Sequence, residues 1–144
     1  MKVTSSAFGN GENIPQKYTA DGENVNPPIS IRNIPDGTKS LVLIVDDPDA
    51  PGGTWDHWIV FNIPPGETIN ENSVPGTEGR NDFGKNSYGG PAPPSGTHRY
   101  FFRVYALDRE LDLPAGSTKE QVLEAMENHI IGRGELMGTY SRKQ

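Results

Sequence analysis

Ser40-Leu41-Val42-Leu43-Ile44-Val45-Asp46 is apolar at five consecutive positions, rich in β-branched side chains, and closed by Asp46, Asp47 and Pro48. A short apolar run bounded by turn formers is expected of a strand covered on both faces. We read it as a central strand. Downstream, Trp58-Ile59-Val60-Phe61-Asn62 is a second β-rich run, stopped by Ile63-Pro64-Pro65-Gly66, because consecutive prolines supply no ladder donors and favour a turn. A third runs from His98 to Leu107. Alternation puts His98, Tyr100, Phe102, Val104 and Ala106 on one face and Arg99, Phe101, Arg103, Tyr105 and Leu107 on the other.

One segment has a helical period. Val122, Leu123, Met126 and Ile130 form an apolar stripe, Ser117 and Glu120 read as a capping box before it, and Gly132 as its stop. The helix is therefore expected over about 118–131. Residues 5–28 and 62–97 are dominated by Gly, Pro, Asn and Ser, which predicts short strands joined by long surface loops. The fold class is mostly β with one helix. At 144 residues, with no repeat, low-complexity tract or charge block, the chain reads as a single domain over 1–144.

Composition narrows the function classes. The chain holds 17 Gly and 13 Pro, about a fifth of its residues, and only 33% hydrophobic residues, the profile of a loop-rich protein. A net charge of -6 without any Lys/Arg cluster argues against nucleic acid. The longest apolar run, five residues, is far short of the ~20 that span a bilayer. The absence of cysteine removes thiolate nucleophiles, disulfides and sulfur-ligated metals. Met1-Lys2-Val3-Thr4-Ser5-Ser6 has no apolar signal core, so a cytoplasmic location is expected.

Two local motifs fail on inspection. Gly79-Arg80-Asn81-Asp82-Phe83-Gly84-Lys85 fits a phosphate-cradling P-loop as far as its lysine, but Asn86 replaces the magnesium-binding hydroxyl and no strand-loop-helix context surrounds it. Asp47-Pro48-Asp49-Ala50-Pro51-Gly52 starts like a calcium loop, yet Pro51 offers no side-chain ligand and Trp58 stands where a bidentate Glu is needed. Those acids are otherwise explained as turn formers that accept bonds from their own loop amides. A serine hydrolase lacks its Gly-x-Ser-x-Gly elbow.

Position, more than motif, singles out Asp47, His57 and His98. Asp47 closes the first strand, while His57 and His98 open the second and third, so adjacency of the three would gather a carboxylate and two imidazoles at one sheet end. Trp55, Trp58, Tyr88 and Tyr100 would wall such a site. The plainer alternative is that both histidines are half-buried and bonded to loop carbonyls. Two histidines and a carboxylate also suit a metal, although spacings of 10 and 41 residues match no metal motif. The intervening run from Tyr88 to Tyr100 is stiffened by Pro91, Pro93 and Pro94, and its backbone amides form a candidate anion nest beside His98.

Taken in order, Asp47-Pro48-Asp49-Ala50-Pro51, Trp55-Asp56-His57-Trp58, Tyr88-Gly89-Gly90-Pro91 and His98-Arg99-Tyr100-Phe101-Phe102 resemble the phosphatidylethanolamine-binding protein (PEBP) family. The likeness is to its short bacterial and archaeal branch, related to Raf kinase inhibitor protein, and covers about Thr4 to Tyr140. The resemblance implies a large central antiparallel-rich sheet, a smaller second sheet and one main helix. It also implies a non-enzymatic binding or regulatory protein, without cofactor or bound metal, whose pocket takes a small anion such as phosphate or a phosphorylated headgroup. Carried over residue by residue, Asp47 and His57 line the floor, His98 and Tyr100 approach from the third strand, and Ala50, Trp55, Gly90 and Pro91 shape the rim. The implied partners are a protease or a kinase-type target reached through loops. An alternative reading is a serine protease inhibitor acting through those loops, and a less favoured one a metal-dependent enzyme using Asp47, His57 and His98. Eukaryotic relatives continue into a C-terminal helix beside the pocket, whereas this sequence ends at Ser141-Arg142-Lys143-Gln144. A more open pocket, or one covered by a second subunit in a homodimer, is the corresponding expectation.

Overall fold

The computed structural model describes residues 1–142. Three layers stack on the central strand. It is β3 (Ser40–Asp47), and every residue in it is buried. Its neighbours are β4 (Trp55–Ile63) and β7 (Thr97–Leu107), both antiparallel to it. The short β6 (Thr77–Glu78) extends the sheet beyond β4, and β8 (Ile130–Ser141) extends it beyond β7, in the order β6-β4-β3-β7-β8. A second antiparallel sheet holds β1 (Lys2–Thr4), β2 (Ile29–Arg32) and β5 (Thr68–Ile69) in the order β1-β2-β5.

Strand alternation divides the core in two. Leu41, Leu43 and Val45 of β3, with Trp58, Val60, Tyr100 and Phe102, pack against Val3, Ile29, Ile31 and Ile69 of the small sheet. Val42 and Ile44, with Ile59 and Phe61, face Val122 and Met126 of the helix α1 (Lys119–Met126). Burying each such large apolar side chain stabilises the fold by about 1.5–3 kcal/mol, which is why a sheet covered on both sides reads as a near-continuous apolar run. The mostly β architecture, with two sheets and one helix, agrees with the sequence reading, as does the division of faces along β7.

Around the helix the outcome differs in three details. The capping box is formed by Thr118 and Gln121: the Gln121 amide donates to Thr118 Oγ1 at 3.2 Å and the Thr118 amide to Gln121 Oε1 at 2.9 Å. Ser117 instead donates its hydroxyl to the Pro114 carbonyl. The helix ends at Met126, short of 131, because Asn128 adopts a left-handed φ of 69°, a conformation asparagine tolerates after a helix. Ile130 and Gly132 belong to β8, a strand the sequence reading left unassigned. Ile130 still packs against the cluster of Val122 and Met126, so the apolar stripe marked a shared core and not a continuous helix. Leu123, placed in that stripe, is exposed. Glycines hid β8: a Cβ at Gly138 would lie 2.5 Å from Ile14 Cγ1, and one at Gly134 would lie 2.8 Å from the Met1 carbonyl oxygen.

Strand β4 carries an irregularity that matters for function. Val45 pairs with Trp58 and Asp46 with Asp56, leaving His57 as the extra residue of a β-bulge. Asp56 points toward the helix, where it accepts a bond from Lys119. Trp58 faces the small-sheet side. The bulge lets His57 join Trp58 on that same side, edge-on to Tyr100 with ring centroids 5.3 Å apart, where regular alternation would have turned it away.

Candidate functional site

At one end of the large sheet lies a cavity of about 340 Å³ built from three strands and two loops. Asp47 enters from β3, Trp55 and His57 from β4, and His98 and Tyr100 from β7. Ala50 and Pro51 come from the turn after β3, while Phe83, Ala92 and Pro94 come from the long segment before β7. Adjacency of β4, β3 and β7 is what gathers the carboxylate and the two imidazoles.

Asp47 is 3% exposed, and each of its oxygens has one partner within the protein. Its Oδ1 accepts the Asp49 amide at 2.8 Å, closing the turn, and its Oδ2 lies 2.6 Å from Nδ1 of the buried His98. Turn chemistry and site chemistry are thus served by the same carboxylate. The following turn is clamped to the start of β7, because Arg99 gives its backbone amide, Nε and Nη2 to Asp49 at 2.8–2.9 Å. Those bonds hold the Asp49 carboxyl down at about 2.

His57 donates Nδ1 to the Gly89 carbonyl at 2.7 Å, since a carbonyl can only accept, and this leaves Nε2 as the acceptor of the neutral ring. Burial lowers its pKa below the ordinary imidazole value, against the opposing pull of the Gly89 carbonyl. Tyr100 sits between the histidines, edge-on to His57 and stacked at 6.5 Å on His98. Its hydroxyl is the single buried side-chain polar atom without a hydrogen-bond partner among the described residues. Burial, and secondarily the negative charge of Asp47, push the Tyr100 phenol well above its usual pKa, so it remains a proton donor. At the mouth, Phe83 packs edge-on to both Trp55 (5.5 Å) and His57 (5.3 Å).

A family model described as phosphatidylethanolamine-binding protein matches residues 4–141. The chain belongs to the phosphatidylethanolamine-binding protein family. Among its PEBP-type relatives, the UPF0098 protein of Methanothermobacter thermautotrophicus is 51% identical, with 99% of each chain covered. A UPF0098 protein of Chlamydia trachomatis is 46% identical over 99% of both chains. The crystal structure of a PEBP homolog from Chlamydia trachomatis superposes with a TM-score of 0.95 at 46% identity, covering 99% of this chain and 97% of that one. The structure of Escherichia coli YbcL, described as a member of the mammalian PEBP family, gives 0.91 at 31% identity, with 99% and 98% covered.

Within this PEBP chain, six of the eight residues named from sequence, Asp47, Ala50, Trp55, His57, His98 and Tyr100, line the cavity. Gly90 and Pro91 do not. Both are buried. A Cβ on Gly90 would lie 2.5 Å from the Tyr18 carbonyl oxygen, and the Pro91 carbonyl accepts the Ala20 amide, so the pair ties this loop to the N-terminal segment. Pro51, Phe83, Ala92 and Pro94 were not foreseen. Phe83 had one signal, a large aromatic alone in a polar, glycine-rich loop, within the segment that fails as a P-loop. Among the described residues no three His, Cys, Asp or Glu side chains are placed to hold a metal ion. His98 Nδ1 and Asp47 Oδ2 bond each other, and the Nδ1 of His57 bonds a carbonyl. No described helix is long and apolar enough to cross a membrane.

Proposed function

We propose that this PEBP-family chain is a binding protein whose cavity takes the anionic group of a small molecule, a phosphate or a phosphorylated headgroup. The observation that carries this reading is the Tyr100 hydroxyl, buried at the cavity wall with no partner. Leaving a buried hydroxyl unpaired costs about 1–3 kcal/mol, a debt that a ligand oxygen accepting from Oη would cancel. The imidazoles of His57 and His98 are the other polar groups that face such an oxygen.

Electrostatics selects the ionic form of the ligand. The lining contains one carboxylate, Asp47, and neither Lys nor Arg. A dianion would meet the Asp47 carboxylate with no Lys or Arg in the lining to offset it, whereas a monoanion carrying a proton can donate to Asp47 or to an imidazole nitrogen. Because a phosphomonoester takes up its second proton near pH 6, binding strengthens as pH falls through that value. Regulation of a partner protein by the bound ligand follows the same reading, with the exposed Trp55 and Phe83 at the mouth as the surface that ligand entry would alter.

Titration calorimetry with phosphate and phosphoethanolamine at pH 5.5 and pH 8 tests this reading, using the native chain and the variants His57→Ala, His98→Ala and Tyr100→Phe. Saturable binding, stronger at the lower pH and lost in the variants, is the expected result. Absence of binding to the native chain at both pH values would reject it.

A further inference from the structure

Directly beside the ligand cavity lies a larger one, about 520 Å³, and Phe83 lines both. Its other walls include Asn24, Lys85, Ser87, Tyr88 and Gly89, and it contains no carboxylate. Lys85 takes part in none of the ion pairs among the described residues. Lys85 therefore brings a cation to a recess whose lining holds no acid to neutralise it. The first cavity has the opposite character, with donors and a carboxylate but no cation.

The two recesses are built as one piece. Asn81 is 5% exposed; its Oδ1 accepts the amides of Phe83 and Lys85, and its Nδ2 donates to the carbonyls of His57 and Ser87. Gly89 bonds His57 twice, through its amide to the His57 carbonyl and through its carbonyl to Nδ1. Thus the loop that carries Lys85 is pinned to the same histidine that floors the ligand cavity. This segment, which cannot work as a P-loop, still delivers its lysine to a recess.

We propose that the second recess is an anion subsite, so that the ligand is an elongated small molecule with two anionic groups, one among His57, His98 and Tyr100 and the other at Lys85 beyond Phe83. This rests on the reading of the first cavity given above. Coulomb attraction to an exposed lysine adds modestly to affinity and is screened by salt. Discrimination then comes from the aromatic wall: the spacer between the charges must cross the face or edge of Phe83, which favours an apolar or planar linker.

The test compares propane-, hexane- and octanediol bisphosphates with the matching alkyl monophosphates by calorimetry at low salt. At least one bisphosphate is expected to bind the native chain about three- to fivefold more tightly than its monophosphate, with the preference shrinking as salt rises. Lys85→Ala is expected to abolish the preference without changing monophosphate affinity, and Lys85→Glu to reverse it. Equal affinities in the native chain at every spacer length, or a preference that survives Lys85→Ala, would overturn the subsite while leaving the first cavity's assignment intact. Failure of every monophosphate and bisphosphate to bind would overturn both. Because Lys85 is exposed and its ammonium bonds no described carboxylate, the variants are expected to fold as the native chain does, which thermal melts check.

Discussion

His98 on β7 and Asp47 on β3 meet at 2.6 Å with both side chains buried, the carboxylate orienting the imidazole from the neighbouring strand. Asp47→Ala strands both the His98 ring nitrogen and the Asp49 amide without acceptors. A loss of about 3 kcal/mol is expected from breaking this buried pair, read as a lower urea midpoint. A loss below about 0.5 kcal/mol would show that water replaces the carboxylate at no cost.

Tyr100→Phe separates stability from binding. Removing a buried hydroxyl that has no partner is expected to leave the unliganded chain unchanged or more stable by about 1 kcal/mol, while ligand affinity falls. Destabilisation of the unliganded variant by more than about 1 kcal/mol would mean that the hydroxyl is satisfied in solution.

The depressed pKa of His57 sets a pH dependence. The unfolded chain binds a proton near pH 6.5 and the folded chain only at lower pH, so the unfolded state holds more protons as acidity increases. Stability is therefore full above about pH 6.5 and falls as the pH drops from there toward the folded value. His57→Gln, whose amide can still donate to Gly89, is expected to flatten the decline in Tm over that window. A decline of the same slope in the variant would assign it to other groups.

Gly89 keeps Phe83 in place. A Cβ at this position would lie 2.6 Å from the Phe83 ring, forcing it outward from Trp55 and His57. Because Phe83 is 42% exposed, Gly89→Ala should cost less than about 1 kcal/mol yet change Trp55 fluorescence and ligand affinity together. Unaltered fluorescence with native affinity would show that the ring tolerates the methyl group in place.

Local pattern was enough for the strongest elements. Five consecutive apolar residues between Ser40 and Asp46 mark a doubly covered strand wherever it sits, and alternation from His98 to Leu107 assigns faces without knowing the partner strands. Ordered motifs around Asp47, His57 and His98 carried the family, since they record short-range geometry at strand ends. The positions of Ala50, Trp55 and Tyr100 followed from the same segments.

Tertiary structure decided what depends on the other side of a contact. The bulge that turns His57 onto the Tyr100 face arises from how β4 registers against β3, and register belongs to two strands at once. Strand β8 is obscured by glycines whose need becomes visible only when Met1, Phe8 and Ile14 lie against them. Phe83 reaches the cavity because Asn81 folds its loop back onto His57, a bond across 24 positions of sequence. The orphaned Tyr100 hydroxyl is likewise a property of the assembled cavity: the sequence by itself specifies a donor on that face, and only packing determines that it is buried there without a hydrogen-bond partner.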